Sequence, residues 1–139
     1  VDELVTLDIP ARAEYVVLGR LALSGVLRER GFSADAIADL KLALTEACSN
    51  SVRHAYDGDA GLVHLCFNVL DDRIVVEIRD EGPGFCVGDE CDAINDALPP
   101  VLNEGGMGIS IIRAVVDEFS LDRPVEGGTL LRLTKLRDT

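Results

Sequence analysis

The sequence predicts an α+β fold, a two-layer α/β sandwich in which helices cover one face of a mixed, mostly antiparallel sheet. Three observations predict it. Two long segments, about Ala11 to Arg30 and Ser33 to Ala55, carry apolar residues at helical spacing, and a third such segment begins near Met107. The stretches "LVHLCFNVL" and "RIVVEIRD" alternate apolar and polar residues with a period of two, and only Asp71 and Asp72 separate them. Striped helices and one-sided hairpins each have an apolar face to hide, and stacking them in two layers hides both.

The elements follow in chain order. Within Val1 to Ile9 the piece "LVTLDIP" reads as extended, stopped by Pro10, whose fixed φ suits the first turn of the next helix. The first helix places Tyr15, Leu18, Ala22 and Val26 in one row and Arg20, Ser24 and Arg28 in another, and Gly31 ends it. Ser33 is the expected N-cap of the second helix, whose core stripe is Ile37, Leu40, Leu44, Ala47 or Cys48, Ser51 and Ala55. At 100° per residue Glu46, Asn50 and Arg53 fall together on a different face. In the strands, Val63, Leu65, Phe67 and Val69 share a side, as do Ile74, Val76 and Ile78, and the same period turns Asp80 inward. A carboxylate is thereby aimed at the core. Glu81 to Gly106 is rich in glycine, proline and acid and is too long for a casual connection, so it is expected to be a functional loop with a short helix near Asp92 to Ala97. The helix "MGISIIRAVVDEF" aligns Ile109, Ile112, Val116 and Phe119, and final strands around "FSLDR" and "GGTLLRLTKL" put Thr129, Leu131 and Leu133 on one face.

Composition narrows the function. With 139 residues, 47% hydrophobic and 27% charged, the chain suits one folded domain, 1–139, and not a disordered one. A formal net charge of −12, spread along the chain, excludes binding to nucleic acid by counterion release. No apolar run approaches the roughly 18 residues that span a bilayer. Cys48, Cys66, Cys86 and Cys91 form no CxxC pair, with Cys48 and Cys66 expected in buried helix and strand, so reduced thiols and a cytoplasmic protein are expected. Cys86 and Cys91, in one loop, read as incidental thiols before they read as a redox pair.

Three motifs carry chemistry: "EACSN" in the second helix, "DEGPGF" after an inner strand and "GGMG" opening a helix. Glu46 and Asn50, four residues apart, project a carboxylate and an amide oxygen into one small volume. An inward Asp80 at a strand end needs a donor, and Gly82 and Gly84 let a flat ligand pass close to the backbone. Amides freed by Gly105, Gly106 and Gly108 at a helix start form a phosphate cradle. His54, a lone histidine in the second helix, reads as structural.

In this order and spacing the motifs resemble the ATP-binding boxes of the GHKL superfamily of gyrase, heat-shock chaperone, histidine kinase and MutL proteins, over nearly the whole chain. Within it, "LTEACSNSVRHAY", "DEGPGF" and "GGMGISIIRAVVDEFSL" are most similar to the bacterial anti-sigma-factor serine kinases of partner-switching systems. The resemblance implies that Glu46 acts as general base, that Asn50 coordinates Mg²⁺, and that Arg53 neutralises phosphate charge. It implies that Asp80 confers adenine specificity with support from Thr129, and that Gly82, Gly84, Gly106, Met107 and Gly108 line the ATP or ADP. The segment at about 81–106 is then an ATP lid. The implied partners are a STAS-type anti-anti-sigma antagonist phosphorylated on serine and a sigma factor, the chain acting as a homodimer with its first helix and first strand near the interface. From Glu81 through Gly108 there is no Lys or Arg, so charge compensation in the lid falls on Mg²⁺, Arg53, the helix terminus or Arg113. Two other functions are weighed beside the kinase: a nucleotide-dependent binding switch with little catalysis, and the catalytic domain of a histidine kinase, against which stands the lack of a preceding helical hairpin with an acceptor histidine.

Overall fold

The computed structural model describes residues 3–28, 30–52, 61–80, 106–122 and 128–137. Along the chain run strand β1 (Glu3–Pro10), a 3₁₀ turn (Ala13–Tyr15), helices α1 (Val16–Leu27) and α2 (Ala34–Asn50), strands β2 (Leu62–Val69) and β3 (Arg73–Asp80), helix α3 (Gly106–Val115), and strands β4 (Glu118–Asp122) and β5 (Thr129–Leu136). The strands form one sheet in the order β1-β2-β3-β5-β4, antiparallel at every described pairing. This is the expected helix-and-sheet sandwich.

The hairpin of β2 and β3 shows how local pattern becomes a core. Leu70 N–H donates to Arg73 O at 2.8 Å across the Asp71-Asp72 turn, which sets the register Val63↔Asp80, Leu65↔Ile78, Phe67↔Val76 and Val69↔Ile74. All eight of these side chains are buried. Against them pack Leu23 and Leu27 of α1, Leu40, Ala43, Leu44 and Ala47 of α2, and Ile112 of α3. The opposite face is polar, with Asp8 and His64 paired at 2.7 Å and Glu77 with Arg132 at 2.7 Å.

Turn chemistry holds the helices in place. Gly31, at φ +82, closes the α1 region in a conformation that costs a residue with Cβ 1–2 kcal/mol, as an order of magnitude. Ser33 Oγ accepts from Ala36 N–H at 3.0 Å, the N-cap expected of it.

The structure corrects several expectations. Pro10 is the last residue of β1, paired with Leu62, and does not open a helix; β1 is an edge strand, where a missing N–H is tolerated. The first helix is shorter than Ala11 to Arg30, and its buried row is Val16, Gly19, Leu23 and Leu27. Leu18 stays 43% exposed, while Tyr15, Ala22 and Val26 flank the core. Helix α3 ends at Val115, so Phe119 belongs to β4, not to the helix row. Cys66 lies on the polar face of β2 and is half-buried, unlike the buried Cys48. Of the loop expected at 81–106, Gly106 is the first residue of α3, and the rest with its short helix, like Ala55, Cys86 and Cys91, lies outside the described residues.

Lys135 fixes how α3 runs. Pointing to the helix side of β5, it donates from Nζ to Val115 O at 2.8 Å and lies 3.3 Å from Asp39 Oδ2, tying the C-terminus of α3 to the first half of α2. A cation at that terminus also complements the helix dipole. Since Asp39 and Lys135 stand at one end of the sandwich, and Ser51 and Asp80 meet at the other, α3 runs antiparallel to α2 and starts at the Asp80 end.

Candidate nucleotide site

Asp80 closes β3 on its buried face and is 2% exposed. A carboxylate in such a place costs several kcal/mol, as an order of magnitude, unless donors satisfy it. One donor is described: Ser51 Oγ–H, from the end of α2, reaches Asp80 Oδ2 at 3.2 Å. Across the sheet Asp80 pairs with Thr129 of β5, itself buried, whose Oγ1 has no hydrogen-bond partner among the described residues. A buried hydroxyl left in that state is a polar group waiting for a ligand or a water.

Asn50 ends the regular part of α2 and is 3% exposed; Glu46, one turn earlier, is half-buried. Glu46 and Asn50 therefore share a helix side but not a degree of burial, with the amide nearer the core. Ser51 and Val52 continue α2 as a π-type turn, while Ser51 N–H itself still bonds back to Ala47 O and Cys48 O, the ordinary α and 3₁₀ acceptors. Such turns re-aim side chains at functional sites. The helix start at Gly106 stands at this same end, and Gly106, Met107 and Gly108 lie in the first turn of α3. About 15 Å separates that start from the end pinned by Lys135.

The structure thus brings together Asn50, Asp80, Thr129 and the N-terminus of α3, with Glu46 one turn away. Arg53, Gly82 and Gly84 lie outside the described residues. Arg113 is exposed near the far end of α3, its guanidinium carbon 5.2 Å from the Phe119 ring centroid, so it is not aimed at the cradle. Sequence reasoning gave Ser51 a place in the packing stripe and, as a small side chain, room beside the nucleotide, but no hydrogen bond to Asp80. The chemistry available is that of a base pocket: a buried acceptor, a buried hydroxyl, and helix amides for anions at the same end. A recess of about 590 Å³ between β1 and α1 includes none of these residues.

A helix-covered antiparallel sheet with an acid at an inner strand end, a Glu-x-x-x-Asn helix beside it and a glycine-opened helix at the same end defines an ATPase domain of the GHKL class. Residues 9–135 match the histidine kinase-like ATPase domain family, and the chain belongs to it. It is 38% identical to a protein of Staphylococcus epidermidis named serine-protein kinase RsbW, over 94% of this chain and 85% of that one. A Bacillus licheniformis protein of the same name is 35% identical, with 94% and 84% covered. Among solved structures, the RsbU and RsbW domains of a Mycobacterium tuberculosis protein superpose with a TM-score of 0.70 at 20% identity, covering 99% of this chain and 33% of that one. A histidine kinase domain from Erythrobacter litoralis gives 0.56 at 22% identity, covering 91% and 61%. At these identities the two structures speak for the fold.

Proposed function

We propose that this chain is a serine-protein kinase and anti-sigma factor, which transfers the γ-phosphoryl group of ATP to a serine of a STAS-type anti-anti-sigma antagonist and, in its other complex, sequesters a sigma factor. The single observation that carries the nucleotide part is the buried Asp80, met by Ser51 from α2 and flanked by the Thr129 hydroxyl from β5. The protein part rests on the serine-protein kinases of the same family, which the chain matches over most of both lengths.

In this reading Asp80 accepts a hydrogen bond from the exocyclic amine of adenine, and Thr129 supports the same base directly or through water. Backbone amides at the start of α3 hold phosphate oxygens, with Gly106, Met107 and Gly108 at the contact. The Asn50 amide oxygen suits a hard divalent cation, and Mg²⁺ bound there would neutralise charge on the phosphates. Glu46 accepts the proton of the substrate seryl hydroxyl as its oxygen bonds to the γ-phosphorus and the bond to the bridging oxygen breaks, yielding phosphoserine and ADP. Gly82, Gly84 and Arg53 complete the pocket by resemblance, with the segment at about 81–106 as its lid.

A homodimer joined near β1 and α1 fits the apolar residues exposed there, Leu4 at 66% and Leu21 at 63%. A binding switch with little catalysis is favoured by one feature, the absence of any Lys or Arg from Glu81 through Gly108. Incubation with labelled ATP and an antagonist separates the two. An acid-stable phosphoserine, lost by about a hundredfold or more in Glu46→Gln while ATP still binds, is expected of the kinase. Tight nucleotide-dependent binding with no transfer would establish the switch, and an acid-labile product would point to histidine kinase chemistry.

A further inference from the structure

We infer that Ser51 is a positioning residue for purine selection: its hydroxyl holds the Asp80 carboxylate in one orientation and keeps it an acceptor, so that a 6-amino purine is bound and a 6-oxo purine refused. The inference rests on the reading of Asp80 as the adenine contact.

A hydroxyl inside a helix ordinarily turns back on its own backbone. Thr45 does so, donating to Lys41 O at 2.7 Å. Ser51 does not; it reaches Asp80 Oδ2, a residue 29 positions on, at 3.2 Å. Ser51 is the first residue of the π-type turn that continues α2, at the end of the helix that faces Asp80. Both partners are nine-tenths buried or more, Ser51 at 7% and Asp80 at 2% exposed. Water therefore has little access to replace the bond.

Two consequences follow for the carboxylate. Its terminal torsion is broad and nearly two-fold, so a fixed donor on Oδ2 removes a rotational freedom that an unheld carboxylate would lose on binding. With Oδ2 engaged by that hydroxyl, the plane of the carboxylate is set and its oxygens accept from fixed directions. The amine at position 6 of adenine donates to such a group, whereas the carbonyl oxygen at position 6 of guanine would meet it lone pair to lone pair. A carboxylate free to turn presents no fixed acceptor to the base edge, and that contrast is lost.

Calorimetric titration of ATP and GTP into the parent chain, Ser51→Ala, the near-isosteric Ser51→Cys and the hydroxyl-retaining Ser51→Thr tests this, with thermal melts recorded for each. We expect Ala and Cys to weaken ATP about tenfold and GTP much less, so that the ATP-to-GTP ratio narrows, and Thr to hold the parent ratio. Equal losses for both nucleotides, or an unchanged ratio in Ala and Cys, would overturn the role of Ser51 while a loss of selectivity in Asp80→Asn kept the adenine reading. A parent chain that binds ATP and GTP alike would overturn the adenine reading itself.

Discussion

At the scale of single residues, burial decides which groups matter. Asp80 at 2% exposure is a buried acceptor met by the Ser51 hydroxyl, and removing that acceptor should be severe. Asp80→Asn places an amide where an acceptor is needed, and ATP affinity is expected to fall about a hundredfold or more by calorimetry; an unchanged affinity would refute the base contact. Cys48 illustrates the opposite use of burial. Desolvation pushes its thiol from 9.0 up to about 12, so the folded protein holds the proton more tightly than the unfolded chain does. The stability this contributes is complete below about pH 9 and is lost as pH rises from 9 toward 12. At pH 8 we expect iodoacetamide to leave Cys48 unmodified until denaturant is added, as peptide mass spectrometry would show. Asp80, Glu46 and Asn50 were legible in the sequence because a period of two and an i, i+4 spacing specify faces. The partnership of Ser51 with Asp80 was not, because no local pattern names a contact 29 residues away.

At the scale of elements, α1 shows how two glycines in one helix differ. A Cβ on Gly19 would lie 2.8 Å from Leu65 Cδ1, inside the packed core, whereas one on Gly25 would meet nothing within 4 Å. Gly25→Ala should therefore gain about 0.5–1 kcal/mol from reduced chain entropy. Gly19→Ala should lose about 1–3 kcal/mol to overpacking, partly offset by the same gain. Urea titrations of both variants check the pair, and a gain in each would show that α1 sits farther from β2 than the structure has it. The existence of α1 was legible, but its buried face came out one position away from the expected row. Leu18 and Leu21 are as apolar as Leu23 and Leu27, and composition alone does not say which row meets the sheet. Pro10 misled for a similar reason: proline suits a first helical turn, yet it also suits the end of an edge strand.

At the scale of the molecule, the sandwich keeps its two faces distinct. Helices cover the inner face of the sheet, and the outer face carries the Glu77–Arg132 ion pair and the Asp8–His64 contact, solvent-facing pairs that contribute little to stability. Exposed apolar residues on β1 and α1, at the sheet edge, include Leu4, Val5, Leu18 and Leu21. If a second copy covers them, Leu21→Glu should convert a dimer to a monomer in sedimentation velocity while melting within a few degrees of the parent. A parent chain that already sediments as a monomer would remove the dimer from the proposal. The net charge of −12 sets the complementary expectation that partners dock through basic surfaces, with salt slowing their association.

By itself, the sequence determined the kinds of element, their approximate limits, the inward carboxylate and the motif order that marks a GHKL domain. Each of these depends on residues near one another in the chain, through backbone periods, turns and caps. Tertiary structure alone decided which row of α1 is buried, that Pro10 pairs in a strand, that Lys135 holds α3 with its start toward Asp80, and that Ser51 spends its hydroxyl on that acid. Those outcomes are set by packing between distant segments, where several arrangements satisfy the same local pattern and contacts across the core select one of them.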